Sequence, residues 1–287
     1  MYAEARTFQS KIMTPLKPKI QGALRRAGLL NRLRASLMYD LYWRFADPQL
    51  VAARRKEMNF YRTVLNGLRK NDLIFDIGAN NGTKAKIFLD LGVRVVAVEP
   101  DRANQEILKE KFLNYRMHRL PIVVVGKAVG QGSGTATMLV ESPGSALNTL
   151  SLKWAESLRK GNSHFPQTMG FGDSADVEVT TIEDLIRDYG MPCYVKIDTE
   201  GYEINVLRGM RRPVPLLSFE VNLPEFRQEG LECLDILDEL ALGGTFNYVA
   251  DYGEGMALAK WLGRAGMARA VSDCSRTSIE VFWRAPQ

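Results

Sequence analysis

Three stretches of this chain hold residues whose types and spacing can do chemistry. The first is Asp76-Ile77-Gly78-Ala79-Asn80-Asn81-Gly82, a carboxylate followed by a glycine-bearing turn. Gly78 and Gly82 let the main chain approach a ligand closely. Dinucleotide loops of the G-x-G-x-x-G kind place a glycine where this chain has Asn80. A polar loop headed by an acid suits a cationic amino-acid moiety better than a diphosphate. The second stretch is Val95-Val96-Ala97-Val98-Glu99-Pro100. Glu99 lies 21 residues beyond Gly78, close to the offset of about 20 at which an acid meets ribose hydroxyls. These two stretches alone leave NAD and S-adenosylmethionine both open. The third runs from Tyr194 to Glu203 and carries Lys196, Asp198 and Glu200, with Glu220 and Asn222 following downstream. Side chains alternate along a strand, so Lys196 and Asp198 share one face. A lysine in a buried strand is costly without a charge partner, and Asp198, Glu200 and Glu220 are the candidates.

The pattern between these stretches predicts the elements that position them. Leu73–Ile77, Val93–Val98, Ile122–Val125, Cys193–Ile197, Leu216–Val221, Phe246–Val249 and Ser278–Trp283 are short apolar runs of the buried-strand kind. Helices are expected over Thr83–Leu91, Asp101–Tyr115, Thr181–Tyr189, Glu203–Gly209, Pro224–Leu242 and Met256–Leu262. Buried strands alternating with helices give an α/β chain with a Rossmann-like, doubly wound and mostly parallel seven-stranded sheet. The last two strands lie close together in sequence, as in a sheet closed by one antiparallel strand. Residues 141–175 interrupt the rhythm and are rich in Ser, Gly and Asn, with one helix expected near Leu150–Lys160. A long excursion at this place in an α/β enzyme is expected to cover substrate.

Composition narrows the class further. Hydrophobic residues make up 46% and charged residues 25% of the chain, enough apolar material for a packed core. The three cysteines, Cys193, Cys233 and Cys274, form no C-x-x-C pair, and the two histidines, His118 and His164, lie far apart. Disulfide scaffolds, cysteine zinc sites and histidine-rich metal sites are disfavoured on that count. Residues 1–70 carry 15 basic residues against the four acids Glu4, Asp40, Asp47 and Glu57. The rest is mildly acidic, with 23 basic residues against 29 acidic, so no nucleic acid is expected to bind along the body. The division drawn from this is a basic helical extension over 1–70 and a catalytic domain over 71–287. Arg6, Lys11, Lys17 and Lys19 break up any apolar signal segment, so a cytoplasmic location is the default expectation.

The Lys-Ile-Asp strand settles the choice of cofactor. With Asp76–Gly82, Glu99-Pro100, Lys196-Ile197-Asp198-Thr199-Glu200-Gly201-Tyr202-Glu203 and Ser218-Phe219-Glu220 in order, the sequence resembles the FkbM-type S-adenosylmethionine-dependent methyltransferases over roughly residues 72–222. The resemblance implies a class I methyltransferase fold. It implies that Asp76, Gly78, Ala79, Asn80 and Gly82 hold the methionine part of the donor. Glu99 and Pro100 would then lie at the ribose, Lys127 and Ala128 beside the adenine, and Asp198 near the donor. The expected reaction is O-methylation of a hydroxyl on a sugar, glycan or secondary metabolite. Such an acceptor must lose a proton, and the candidates around that step are Asp198, Lys196, Glu200, Glu220 and His164. Asp198, Glu220 and Asn222 also offer hard oxygen ligands, so a Mg2+-assisted route is a further expectation. Two alternatives stand beside this reading: an NAD(P)-dependent oxidoreductase, disfavoured by the missing middle glycine, and a non-catalytic membrane- or partner-binding protein on the same fold. An oligomer is compatible with all of them.

The basic segment supports that last alternative. From Ile20 to Leu37 the residues Ile20, Leu24, Ala27, Leu30, Leu33 and Leu37 recur at helical steps, with Arg25, Arg26, Arg32 and Arg34 between them. Such a helix either packs its stripe on the domain or a second subunit, or lies on an anionic membrane surface. Membrane contact predicts co-sedimentation with anionic vesicles at low salt. That binding should weaken steeply at high salt, at about 1 kcal/mol per basic residue near the surface. A full-length chain that stays in the supernatant at low salt eliminates membrane contact.

Overall fold

The computed structural model describes residues 48–113 and 122–286. The basic segment over residues 20–37 lies outside the described residues. The first described element is helix α1 (Pro48–Val64). A seven-stranded sheet follows, built from β1 (Leu73–Ile77), β2 (Arg94–Val98), β3 (Ile122–Val125), β7 (Tyr194–Ile197), β8 (Leu216–Asn222), β9 (Thr245–Val249) and β10 (Ser278–Arg284). Its strand order is β3-β2-β1-β7-β8-β10-β9. All neighbouring pairs from β3 to β8 are parallel, and β10 runs antiparallel to both β8 and β9. The doubly wound sheet with an antiparallel strand near its end is therefore the observed architecture. The chain order reverses between β1 and β7, which opens a crevice at their carboxyl ends.

Both faces of the sheet are covered. On one side Phe75, Ile77, Val195, Ile197, Phe219 and Trp283 pack against α5 (Ile182–Tyr189), α6 (Glu203–Arg208), α7 (Arg227–Leu240) and α8 (Arg264–Ser272). On the other, Ile74, Val95, Ala97, Tyr194 and Phe282 meet α1, α2 (Thr83–Asp90) and α3 (Arg102–Lys111). Strands buried on both faces need the near-continuous aliphatic runs seen in the sequence. Helix starts follow from local chemistry: the side chains of Asp101 and Thr181 accept from the first-turn amides of α3 and α5.

The structure departs from the sequence reading in three places. Met256–Leu262 is not helical. Its backbone is tied to β9 through Ala257 N to Tyr248 O and the Phe246–Leu262 pair, and Asn247 clasps Leu258 N and O. An exposed strand edge satisfied in this way is protected from further pairing, and the helix forms later, as α8. Second, β4 (Ala128–Val129), β5 (Gly134–Val140) and β6 (Asp173–Thr180) form a small side sheet in the order β4-β6-β5. The excursion thus already becomes strand at Asp173, and its helix is α4 (Leu152–Lys160), capped by Ser151. Third, α1 falls inside the stretch assigned to the extension yet is built into the core. Phe60, Tyr61 and Leu65 are buried, Phe60 packs on Phe282 with ring centroids 5.6 Å apart, and Tyr61 packs on Phe88 at 5.1 Å. Among the described residues, no helix is long and apolar enough to cross a membrane.

If α1 is part of the domain, Phe60→Ala destabilises the whole domain by about 3–5 kcal/mol, the cost of truncating a buried Phe. Urea unfolding reads this as a lower midpoint. An unchanged midpoint makes α1 an appendage.

Candidate active site

The β1 loop is shaped by its glycines. Gly78 has φ +78°, and a Cβ there would run into the Asp198 carbonyl group. The ends of β1 and β7 therefore touch through bare backbone. Gly78 N and Ala79 N both donate to Val98 O at 3.0 Å, which pins the turn to β2. Asn80, at φ +48°, and Glu200, at φ +54°, are non-glycine residues held in the left-handed region on either side of the crevice. Such strain gathers at functional sites.

Glu99 ends β2 with its carboxylate fixed by two backbone amides, Asn80 N at 2.7 Å and Asp101 N at 2.8 Å. Burial pushes its pKa up to about 7, against those two hydrogen bonds. Pro100 follows, and the Gln105 side chain bridges the Glu99 and Pro100 carbonyls. Asp76 is buried on β1, opposite Ala97 on one side and Lys196 on the other. Burial raises its pKa to about 7, more than the nearby Lys196 charge lowers it, and its Oδ2 has no hydrogen-bond partner. Lys127 turns to Glu178, 3.0 Å away, and the Ala128 side chain packs into the core of the small sheet.

Lys196 is the buried cation of the sheet. Its Nζ donates to Asp198 Oδ2 at 2.8 Å. Burial works against its charge, but the carboxylates of Asp198, Glu280 and Asp76 outweigh it and hold the ammonium above its ordinary value. Lys196, Asp198, Glu220 and Glu280 line one narrow cavity with Lys84 and Tyr252. Carboxylate oxygens of Asp198, Glu200 and Glu220 lie within 4.8 Å of one another. Glu200 thus joins Asp198 and Glu220, two of the three hard ligands expected from sequence. Asn222 follows Glu220 along β8, buried, with an unpartnered Oδ1. His164 is elsewhere: it is buried in the excursion, packed on Phe165 at 4.6 Å, and does not line this cavity.

Sequence reasoning missed the wall behind Lys196. Glu280, in mid-β10, accepts from Ser218 Oγ at 2.5 Å, from Tyr61 OH at 3.2 Å and from Tyr252 OH. Lys84 donates to Tyr252 OH at 3.0 Å and pairs with Glu57 of α1. The available signal was an acid inside the apolar run Ser278-Ile279-Glu280-Val281-Phe282-Trp283, the same anomaly that marked Lys196.

A glycine turn and a ribose-type acid on adjacent strands beside the switch point define a nucleoside-cofactor protein of the doubly wound class. Residues 76–249 match the Methyltransferase FkbM domain, and the chain belongs to that family. It is similar to the hexuronic acid methyltransferase AglP of Haloferax volcanii, with 25% identity over 181 residues, 62% of this chain and 64% of that protein. The chain therefore spans a little under two thirds of that relative. Its fold is similar to that of the methyltransferase FkbM from Methylobacillus flagellatus, at TM-score 0.50 and 18% identity, covering 79% of this chain and 47% of the other. Membership displaces the oxidoreductase alternative and implies S-adenosylmethionine as cofactor. The crevice fits that donor: Asp76 offers an unpartnered buried carboxylate oxygen for a cationic group, Gly78 leaves the backbone bare, and Glu99 is held rigid for hydroxyls.

The raised carboxylates give a pH signature. A carboxyl group with a raised folded pKa stabilises the fold below its unfolded value, and that stability is lost as pH rises through about 7. A sulfonium or ammonium beside Asp76 favours the ionised form, so donor affinity should rise with pH toward about 7 and level off above it, with protons released on binding. Calorimetry in buffers of different ionisation enthalpy measures the release. Asp76→Ala and Glu99→Ala should each weaken binding by about 1.5–3 kcal/mol, and unchanged affinity in both removes the donor from this crevice.

Proposed function

We propose that this chain is an S-adenosylmethionine-dependent O-methyltransferase acting on a hydroxyl of a sugar, glycan or other secondary metabolite. The observation that carries it is the ion pair of buried Lys196 with half-buried Asp198, which lines a cavity beside the donor crevice. The printed name of the Haloferax volcanii relative, a hexuronic acid methyltransferase, supports a sugar acceptor. When bound, the donor supplies a methyl group on a sulfonium and departs as a neutral thioether, so no leaving anion needs stabilising. The protein's tasks are then alignment and removal of one proton.

Asp198 is suited to take the acceptor's hydroxyl proton, because Lys196 fixes its Oδ2 and the cavity gives access to the carboxylate. Lys196 stays charged against its three carboxylate neighbours and serves as orienter, not as base. Glu220 lies on the same cavity wall, where its Oε1 accepts from Ser278 Oγ at 2.8 Å. Mg2+ on Asp198, Glu200 and Glu220 is the variant of this proposal in which the acceptor oxygen is polarised by a metal.

With any acceptor that turns over, Asp198→Asn should lower the rate at least about 100-fold, the low end of general-base contributions, while donor binding changes far less. Loss of activity in EDTA and its return with Mg2+ assigns Asp198 to the metal instead. Full rate in Asp198→Asn removes both roles.

A further inference from the structure

The segment between β5 and α4 is fastened at two points on opposite sides of the β1 loop. On the β7 side, Thr149 Oγ1 donates to Glu200 O at 2.8 Å, and Thr149 pairs with Leu139 through two backbone hydrogen bonds. On the β2 side, Asn148 Nδ2 and Gly144 N both donate to Asp101 Oδ2, at 2.6 and 3.1 Å. In the sheet β1 lies between β2 and β7. A strap joined to the ends of both outer strands therefore crosses the carboxyl end of β1, where the Gly78–Gly82 loop opens and ligands of doubly wound folds sit.

The two fastenings differ in kind. Thr149 is buried and laddered into β5. The other end, Ser142-Pro143-Gly144-Ser145-Ala146, carries no large apolar side chain and is exposed or half-buried. Polar contacts hold it, and Asn148 gathers most of them: its Oδ1 accepts from Glu141 N at 2.9 Å, and its Nδ2 also donates to Ser142 O at 3.0 Å. Asp101 is the opposite half of the clasp and is already committed to the donor crevice. Its backbone N holds Glu99, and its Oδ1 caps α3 through Ala103 N and Asn104 N. One residue thus ties the ribose-type carboxylate to the strap.

We propose that Asn148 and Asp101 are positioning residues of the donor site, and that their hydrogen bond clasps the 141–149 strap over the crevice and sets the rate of donor entry and release. The inference rests on the donor reading given above. It concerns the cofactor's residence, independent of which acceptor is methylated.

The test uses the full chain and labelled S-adenosylmethionine, with association and dissociation rates measured separately. Asn148→Ala should raise both rates about tenfold or more, the factor expected for one hydrogen bond to a charged group. The equilibrium constant should move much less, and the urea midpoint should fall by no more than the loss of that one hydrogen bond accounts for. Asn148→Asp should speed exchange in the same way, since it sets two carboxylates against each other. The exchange pair Asp101→Asn with Asn148→Asp should return both rates toward the parent's. An amide then donates from position 101 to a carboxylate at 148, and Asn still caps α3. Unchanged rates in Asn148→Ala overturn the proposal. So does faster release alone with affinity lost by the same factor, which marks Asn148 as an ordinary ligand contact. A parent chain that binds no S-adenosylmethionine overturns the donor reading itself, and the clasp with it.

Discussion

The burial of one lysine in the middle of a parallel sheet organises this molecule. Lys196 is about 3% exposed on β7, between Asp76 of β1 and Ser218 of β8 in a sheet whose core is otherwise mostly aliphatic and aromatic. An ammonium in such a place is tolerated only with carboxylates close by. Asp76 comes from β1, Asp198 from the end of β7 and Glu280 from β10. The partners therefore come from both sides of the switch point and from the antiparallel strand, so the requirement for charge compensation and the strand order impose the same geometry. Two of these carboxylates, Asp198 and Glu280, also line the cavity beside the lysine.

Compensation is uneven, and the unevenness has chemical use. Asp76 sits next to Lys196, yet burial still dominates its titration, because the lysine is shared with two other acids and directly hydrogen-bonded to Asp198. Glu203 shows the same pattern at the start of α6: burial lifts its pKa to about 7 although Thr199 N and Oγ1 and Gly201 N all donate to it. That carboxylate tightens the loop that places Asp198 and Glu200. The site is thus rich in acids held away from water, an environment in which a cationic sulfonium is favoured and a hydroxyl proton has a nearby acceptor.

Two elements outside the family-matched region complete the wall. Helix α1 supplies Tyr61 and Glu57, and β10 supplies Glu280. Tyr61 and Glu280 meet across 219 sequence positions. The small sheet and the strap do the equivalent for the donor side, linking Asp101 after β2 with Glu200 after β7. The acidic groups of the candidate site are presented by strand ends, while the segment tied across them is irregular backbone, a common division in doubly wound folds.

Much of this was legible without coordinates, because it depends on local periodicity. Aliphatic runs bounded by glycine name buried strands, an acid before Gly78-Ala79-Asn80 marks the donor loop, and a lysine in a strand announces a charge that must be met. Asp76, Glu99, Lys196 and Asp198 were singled out in that way, and the fold sets Asp76 and Asp198 beside Lys196. The remainder depends on which distant residues the topology brings together. The sequence shows that Lys196 needs partners but not that Glu280 is one. It shows a basic segment before residue 70 but not that Phe60 and Tyr61 within it complete the face formed by Phe88, Tyr194 and Phe282. Met256–Leu262 had helical spacing, yet the open edge of β9 claimed its backbone. His164 had a base's chemistry, yet the aromatic packing of the excursion holds it. In each case the deciding contact spans strands or layers, and its free energy depends on burial that exists only once the sheet and both helical layers have closed around it.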